Sequence, residues 1–176
     1  MVVEYIIILE GGIFMLLSAK QVASYFLSKD KDRKLFTSKV IKINDVKSYE
    51  GNVRINKYLF LAQVVHLAKY GKKLFSDDLV AYTNGPVIIS IMNNFADLYE
   101  NKEVELNIDD KTKEFLDKIY FSLENASCEE LVDISHDDPE WQKLSKNTYS
   151  QEIMNVESHI DYYKKTYQGL IEALHI

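Results

Sequence analysis

The sequence predicts a mainly α fold, a compact single-domain helical bundle around a buried central helix, with at most a short β hairpin. Three observations predict it. The stretch Tyr58-Leu59-Phe60-Leu61-Ala62-Gln63-Val64-Val65-His66-Leu67-Ala68 is apolar on nearly every side, and a helix of that kind must be enclosed by other helices. Helix-start chemistry recurs at Ser18, Ser76, Asp109 or Asp110, Ser127 and Asp138-Pro139. The alternation of strand and helix patterns that builds a parallel sheet is missing. A chain of 176 residues suits one domain with a real core, and 47% apolar with 27% charged residues is a globular composition.

Residues 1–14 are expected to form an N-terminal extension ahead of a domain spanning 15–176. Their apolar runs are interrupted by Glu10-Gly11-Gly12 and lack the basic flank of a secretory signal. They are also shorter than the roughly 20 apolar residues of a membrane-spanning helix. Met15 is a candidate native start, because Ser18-Ala19-Lys20-Gln21 directly after it reads as a capping box. Val22, Tyr25 and Phe26 then give a short amphipathic helix, ended by the charged run Lys29 to Lys34, which reads as a solvated loop. Val40, Ile41 and Ile43 with the turn formers Asn44-Asp45 suggest a short strand or hairpin, closed at Tyr49 to Asn52.

From Arg54 to Tyr99 the expectation is three helices with two sharp joints. The enclosed helix starts at Val53 or Arg54 and stops at Gly71, with its charges Arg54, Lys57 and Lys69 only at the ends. Ser76-Asp77-Asp78 caps a second helix with Leu79, Val80 and Tyr82 inward. Asn84-Gly85 closes it, and Pro86 enters the first turn of a third, whose core face is Ile88, Ile91, Met92, Phe95 and Tyr99. Val104, Leu106 and Ile108 make an extended connection to a helix with Phe115, Leu116, Ile119, Tyr120 and Leu123 inside. Ser127 starts a short helix through Leu131, Val132 and Ile134, Asp138-Pro139 starts another, and a polar break at Ser145 to Ser150 precedes a last helix running from Val156 to Leu174.

Charge and composition exclude several function classes. A net charge of −6 with no basic stripe disfavours nucleic-acid binding and suits a basic protein partner. One cysteine, Cys128, excludes an internal disulfide, and with four scattered histidines leaves no Cys/His cluster of metal-ligand spacing. The setting reads as cytoplasmic, and Cys128 as a small buried residue rather than a reactive thiol.

Candidate catalytic groups each have a simpler explanation. Gln63 and His66, three apart on one face of the enclosed helix, form a buried polar pair, and hydrogen bonding within the core is the favoured role. Asp77-Asp78 and Asp109-Asp110 read as helix caps. Ser135-His136-Asp137-Asp138 holds the residue types of a hydrolase triad, but neighbours in sequence cannot aim at one another in triad geometry. The glycines match no phosphate loop. No enzyme class, metal or cofactor is therefore expected.

Several motifs in order carry a family resemblance. Leu59-Phe60-Leu61-Ala62-Gln63, then Gly71-Lys72-Lys73-Leu74-Phe75-Ser76-Asp77-Asp78-Leu79-Val80-Ala81-Tyr82, then Asn84-Gly85-Pro86-Val87, resemble the Panacea domain, also called the SocA-like antitoxin domain. Ser135-His136 followed by Trp141 resembles a later element of that family, and Ala19 to Phe26 its opening helix. The segment Val53-Arg54-Ile55-Asn56-Lys57 and the long insertion Asp30 to Asn52 depart from its usual pattern.

The resemblance implies an antitoxin that neutralises a cognate toxin, encoded by an adjacent gene, through direct protein–protein binding. The alternative it carries is a proteolytic adaptor that delivers its partner to a protease, and an undescribed enzyme using Gln63, His66 or His136 is the further alternative. Relatives are carried by phage and other mobile elements. Asn84, Gly85, Pro86 and Trp141 are the candidate partner-binding residues, against a purely architectural role for the joint and a core role for the tryptophan. No membrane partner is expected, and a homo-oligomer is left open.

Overall fold

A computed structural model describes residues 6–7, 14–100, 106–147 and 151–176. In chain order its elements are β1 (Ile6–Ile7), β2 (Phe14–Met15), α1 (Ala19–Lys29), β3 (Val40–Ile43), β4 (Val46–Tyr49), α2 (Glu50–Tyr70), α3 (Ile89–Asn93), α4 (Phe95–Glu100), α5 (Asp110–Leu123), α6 (Cys128–His136), α7 (Pro139–Leu144) and α8 (Ile160–Ala173). Single 3-10 turns occupy Ser145–Asn147 and Val156–His159. The described residues are mainly α, with one antiparallel hairpin, β3–β4, and a two-residue antiparallel pairing of β1 with β2. Of the segment 1–14, where an N-terminal extension is expected, only residues 6, 7 and 14 are described; Val104 and residues 148–150 lie outside the described residues.

The central helix is α2. Residues 53–68 are all buried, enclosed by α1, α3, α5, α6 and α8. Each large apolar side chain taken out of water there contributes about 1.5–3 kcal/mol. Phe26, Phe36 and Tyr120 surround the Tyr58 ring edge-on, with centroids 5.3 to 6.1 Å away.

The helix begins earlier than the sequence suggests. Tyr49 ends β4 and is also the residue before the first turn of α2, with no side-chain cap to signal the start. Lys57 is consequently in the third turn rather than at an end, and both it and Arg54 are buried. Gly71 stops the helix at φ +66°, the left-handed conformation glycine adopts without strain.

The hairpin turn is Asn44-Asp45, both with positive φ, as a two-residue turn that matches strand twist requires. Ser18 with Gln21 and Ser127 with Glu130 form capping boxes, Asp109 and Asp138 cap α5 and α7, and Pro139 takes the first turn of α7.

Two expectations fail between Gly71 and Ile88. No helix starts at Ser76: the segment is extended, pairing beside Leu17 and then with Ile153. The Asp77 carboxylate accepts from the Ala19 amide at 2.7 Å, so it caps α1 instead of a helix of its own. Pro86 likewise opens no helix, because α3 begins at Ile89 and breaks at Asn94 before α4.

Asp30, expected in a solvated loop, is buried and accepts from the Lys34, Leu35 and Phe36 amides at 2.8 to 2.9 Å. Ile134, in the short helix expected after Ser127, is 40% exposed.

Candidate functional site

The polar residues of α2 hold the irregular segment that follows it, in reverse order along the helix. His66 Nδ1 donates to the Lys72 carbonyl at 2.7 Å. Gln63 accepts from the Leu74 and Phe75 amides at 2.7 and 3.2 Å and donates to the Phe75 carbonyl at 3.0 Å. Lys57 Nζ donates to the Pro86 carbonyl at 2.7 Å, and the Asn56 carbonyl oxygen accepts from the Ile88 amide at 2.9 Å. Buried backbone groups outside regular structure need such partners. The chain from 72 to 88 is thus clamped along α2 by side chains spread over three turns.

The Asn84-Gly85-Pro86 joint is the tip of a loop closed by backbone pairing of Val80 with Val87, at 2.8 and 3.0 Å. The Gly85 amide donates to the Tyr82 carbonyl across the turn, and Gly85 has φ +87°. A Cβ at Gly85 would overlap Ser135 Oγ and come within 3.0 Å of Lys57 Nζ. Only glycine fits there. Ser135, wholly buried at the end of α6, donates its hydroxyl to the Val132 carbonyl at 2.8 Å. Asn84 ties the tip to the hairpin, donating to the Ile43 carbonyl at 3.1 Å and accepting from the Asn44 amide group at 3.0 Å.

Trp141 completes the joint. Its indole N–H donates to the Tyr82 carbonyl at 2.8 Å, and its ring stacks on His136 with centroids 3.8 Å apart and an interplanar angle of 6°. Burial, and then Lys57, keep His136 below the ordinary histidine value, and its Nε2 is buried without a hydrogen-bond partner among the described residues. Behind this, Asp138 accepts from the Tyr163 hydroxyl at 2.7 Å, and Glu140 pairs with His159 at 2.8 Å.

Lys57 is the unusual group of the site. It is 1% exposed, and among the described residues its ammonium has the backbone carbonyl of Pro86 as its one hydrogen-bond partner and no carboxylate pairs with it. Burial disfavours the ammonium and holds its pKa down to about 7. Beside it a cleft of about 240 Å³ lies between the β4 edge at residues 46–48, the first turns of α2, and loop residues 82–84. Its basic lining residues are Lys47 and Lys57, and among the described residues no Asp or Glu lines it, although the whole chain carries −6.

The candidate residues therefore separate into two places. Asn84, Gly85, Pro86 and Trp141 come together at one joint, with Gly85 and Pro86 buried and Asn84 and Trp141 half-buried, so the accessible surface there belongs mainly to Tyr82, Thr83 and Asn84. Gln63 and His66 lie elsewhere, occupied with the turn after α2; burial lowers the His66 pKa below its ordinary value. Cys128 is buried, and desolvation pushes its thiol up to about 11, which leaves it protonated and unreactive at neutral pH.

Sequence reasoning missed Lys57, Asn56 and the β4 edge. The signal was present in Asn56-Lys57 directly before the apolar run, and was masked by placing the helix start at Val53 or Arg54. Among the described residues no group of three or more His, Cys, Asp and Glu side chains is placed to hold a metal ion, and no helix is long and apolar enough to cross a membrane.

Neither a comparison with curated proteins nor one with solved structures yields a match. A family model described as "Antitoxin SocA-like, Panacea domain" matches residues 55–142, the stretch from the first turns of α2 through the clamped segment to Trp141 in α7. With half its length matched, including α2, the glycine joint and the tryptophan that closes it, the chain belongs to the SocA-like antitoxin, Panacea domain family.

Proposed function

We propose that this chain is an antitoxin that binds a cognate toxin, a protein encoded beside it, and neutralises it by direct contact in the cytoplasm. The observation that carries the reading is the family match over residues 55–142. A net charge of −6 supports it, since an acidic surface speeds encounter with a basic protein and rejects nucleic acid.

Action by binding rather than catalysis is part of the same proposal. Its support is the engagement of Gln63 and His66 with backbone groups of the turn after α2 and of Ser135 within α6; His136 is stacked on Trp141 with its Nε2 buried. The contact surface proposed is the exposed side of the loop 80–87 together with the neighbouring hairpin.

A growth assay tests this. Expression of the adjacent gene alone should arrest growth, and co-expression with this chain should restore it while the toxin protein persists at an unchanged or higher level. Arrest that continues despite co-expression contradicts the proposal. Rescue accompanied by faster disappearance of the toxin would favour delivery to a protease over blocking.

A further inference from the structure

The β4 edge is open for pairing. Val46 and Ser48 bond inward to β3, and the Glu50 amide continues that ladder to the Lys39 carbonyl at 2.8 Å. In an antiparallel pair the residues between such bonded positions direct their N–H and C=O away from the partner strand. Lys47 is one of them, and no other backbone hydrogen bond among the described residues uses its N–H or C=O.

Three consecutive residues of β4, 46–48, line the cleft, which is how an edge rather than a face borders a cavity. A strand edge offers its free N–H and C=O groups to an extended backbone, whereas a helix has satisfied its own.

Charge identifies what the extended segment carries. Lys57 lines the cleft while its Nζ bonds one neutral acceptor, the Pro86 carbonyl, and Lys47 is the exposed lysine of the bordering edge, with no acidic side chain among the lining residues. An ammonium buried without a counter-charge is stabilised by a carboxylate brought to it. The amide groups of Asn52 and Asn84 already have partners, so the lysines are the charged recognition groups left for an incoming segment.

We propose that this cleft receives an extended, carboxylate-bearing segment of the partner protein, which adds to the edge of β4 through the outward N–H and C=O of Lys47 and sets an acidic side chain against Lys57. Backbone pairing supplies affinity that tolerates sequence change in the partner, and the buried lysine supplies register. The Asn84–Asn44 bond ties the loop tip that lines the cleft to the turn between β3 and β4. The proposal rests on the antitoxin reading and names the chemistry of its contact.

The test titrates the purified toxin from the adjacent gene with the wild-type chain and with Lys47→Pro, Lys47→Glu, Lys57→Met and the control Lys20→Glu, at an exposed position of α1 outside the cleft. Proline at 47 removes the outward N–H without touching the ladder to β3. Lys47 is exposed, so its variants fold whether or not Lys57→Met does; melting curves verify each.

The expected result is binding by the wild type and the control, with affinity lowered roughly tenfold or more by each cleft variant that folds. Wild-type binding with the Lys47 variants unchanged overturns the cleft assignment and leaves the antitoxin reading standing; failure of the wild type to bind overturns that reading instead. Competition by inorganic phosphate would assign the cleft to a small anion. A change in the oligomeric state of the free chain on Lys47→Pro would assign the edge to a second copy. Either of these also overturns the proposal.

Discussion

Lys57 is held in the folded chain with a pKa of about 7, against 10.5 for an ordinary lysine, because burial disfavours its charged form. Between those two values the unfolded chain binds a proton that the folded chain does not, so this residue makes stability rise with pH across the window from about 7 to 10.5 and leaves its full penalty below it. Lys57→Met lacks the titration while every other group still titrates. In urea unfolding at pH 7, 8, 9 and 10, the wild-type stability relative to Lys57→Met should therefore climb by an amount on the order of a few kcal/mol. A difference that stays flat would show that Lys57 is not buried as described. Gly85 makes a second prediction at this scale. Gly85→Ala combines a positive φ with overlap on Ser135 Oγ and should cost about 2–4 kcal/mol, of which Ser135→Ala restores a part in a double-mutant cycle. Strict additivity of the two substitutions would contradict the contact.

The segment 71–88 owes its shape to α2. Gln63 alone satisfies the amides of Leu74 and Phe75 and the carbonyl of Phe75, so Gln63→Leu leaves three buried backbone groups without partners. The expected loss is roughly 3 kcal/mol or more, and hydrogen exchange at Leu74 and Phe75 should accelerate well beyond that of mid-α2 amides. Equal protection in the variant would mean that the segment holds itself. This element also marks where the sequence is legible. Ser18, Asp109, Ser127, Asp138 and Gly71 are readable because a cap is a bond between residues a few positions apart. The Asn44-Asp45 turn is readable for the same reason. Ser76-Asp77-Asp78 has the same local grammar and misleads, since Asp77 bonds to Ala19, and Val80 pairs with Val87 and Ile153. Ala19 and Ile153 are remote in sequence, and helix propensity yields to them. Lys57 was hidden by a junction: the hairpin runs directly into α2 with no capping side chain, so the helix start slid toward Arg54 and the lysine with it.

For the molecule as a whole, the fully apolar middle of α2 announced a bundle wrapped around one helix, and α1, α3, α5, α6 and α8 enclose it. The candidate joint was partly legible: Asn84, Gly85, Pro86 and Trp141 do meet, yet the cleft they adjoin is made by the β4 edge and a lysine from the middle of α2, a juxtaposition that no short motif encodes. An acidic chain with a basic, edge-bordered cleft has the division of labour expected of a protein that meets its partner by long-range charge and fixes register locally. The proposed neutralisation by direct contact is tested by a titration of the purified toxin with the purified chain, following heat of binding and toxin activity together with no protease present. The expected result is a stoichiometric complex in which toxin activity falls in step with occupancy. Absence of a complex, or a complex in which the toxin keeps its full activity, would contradict it.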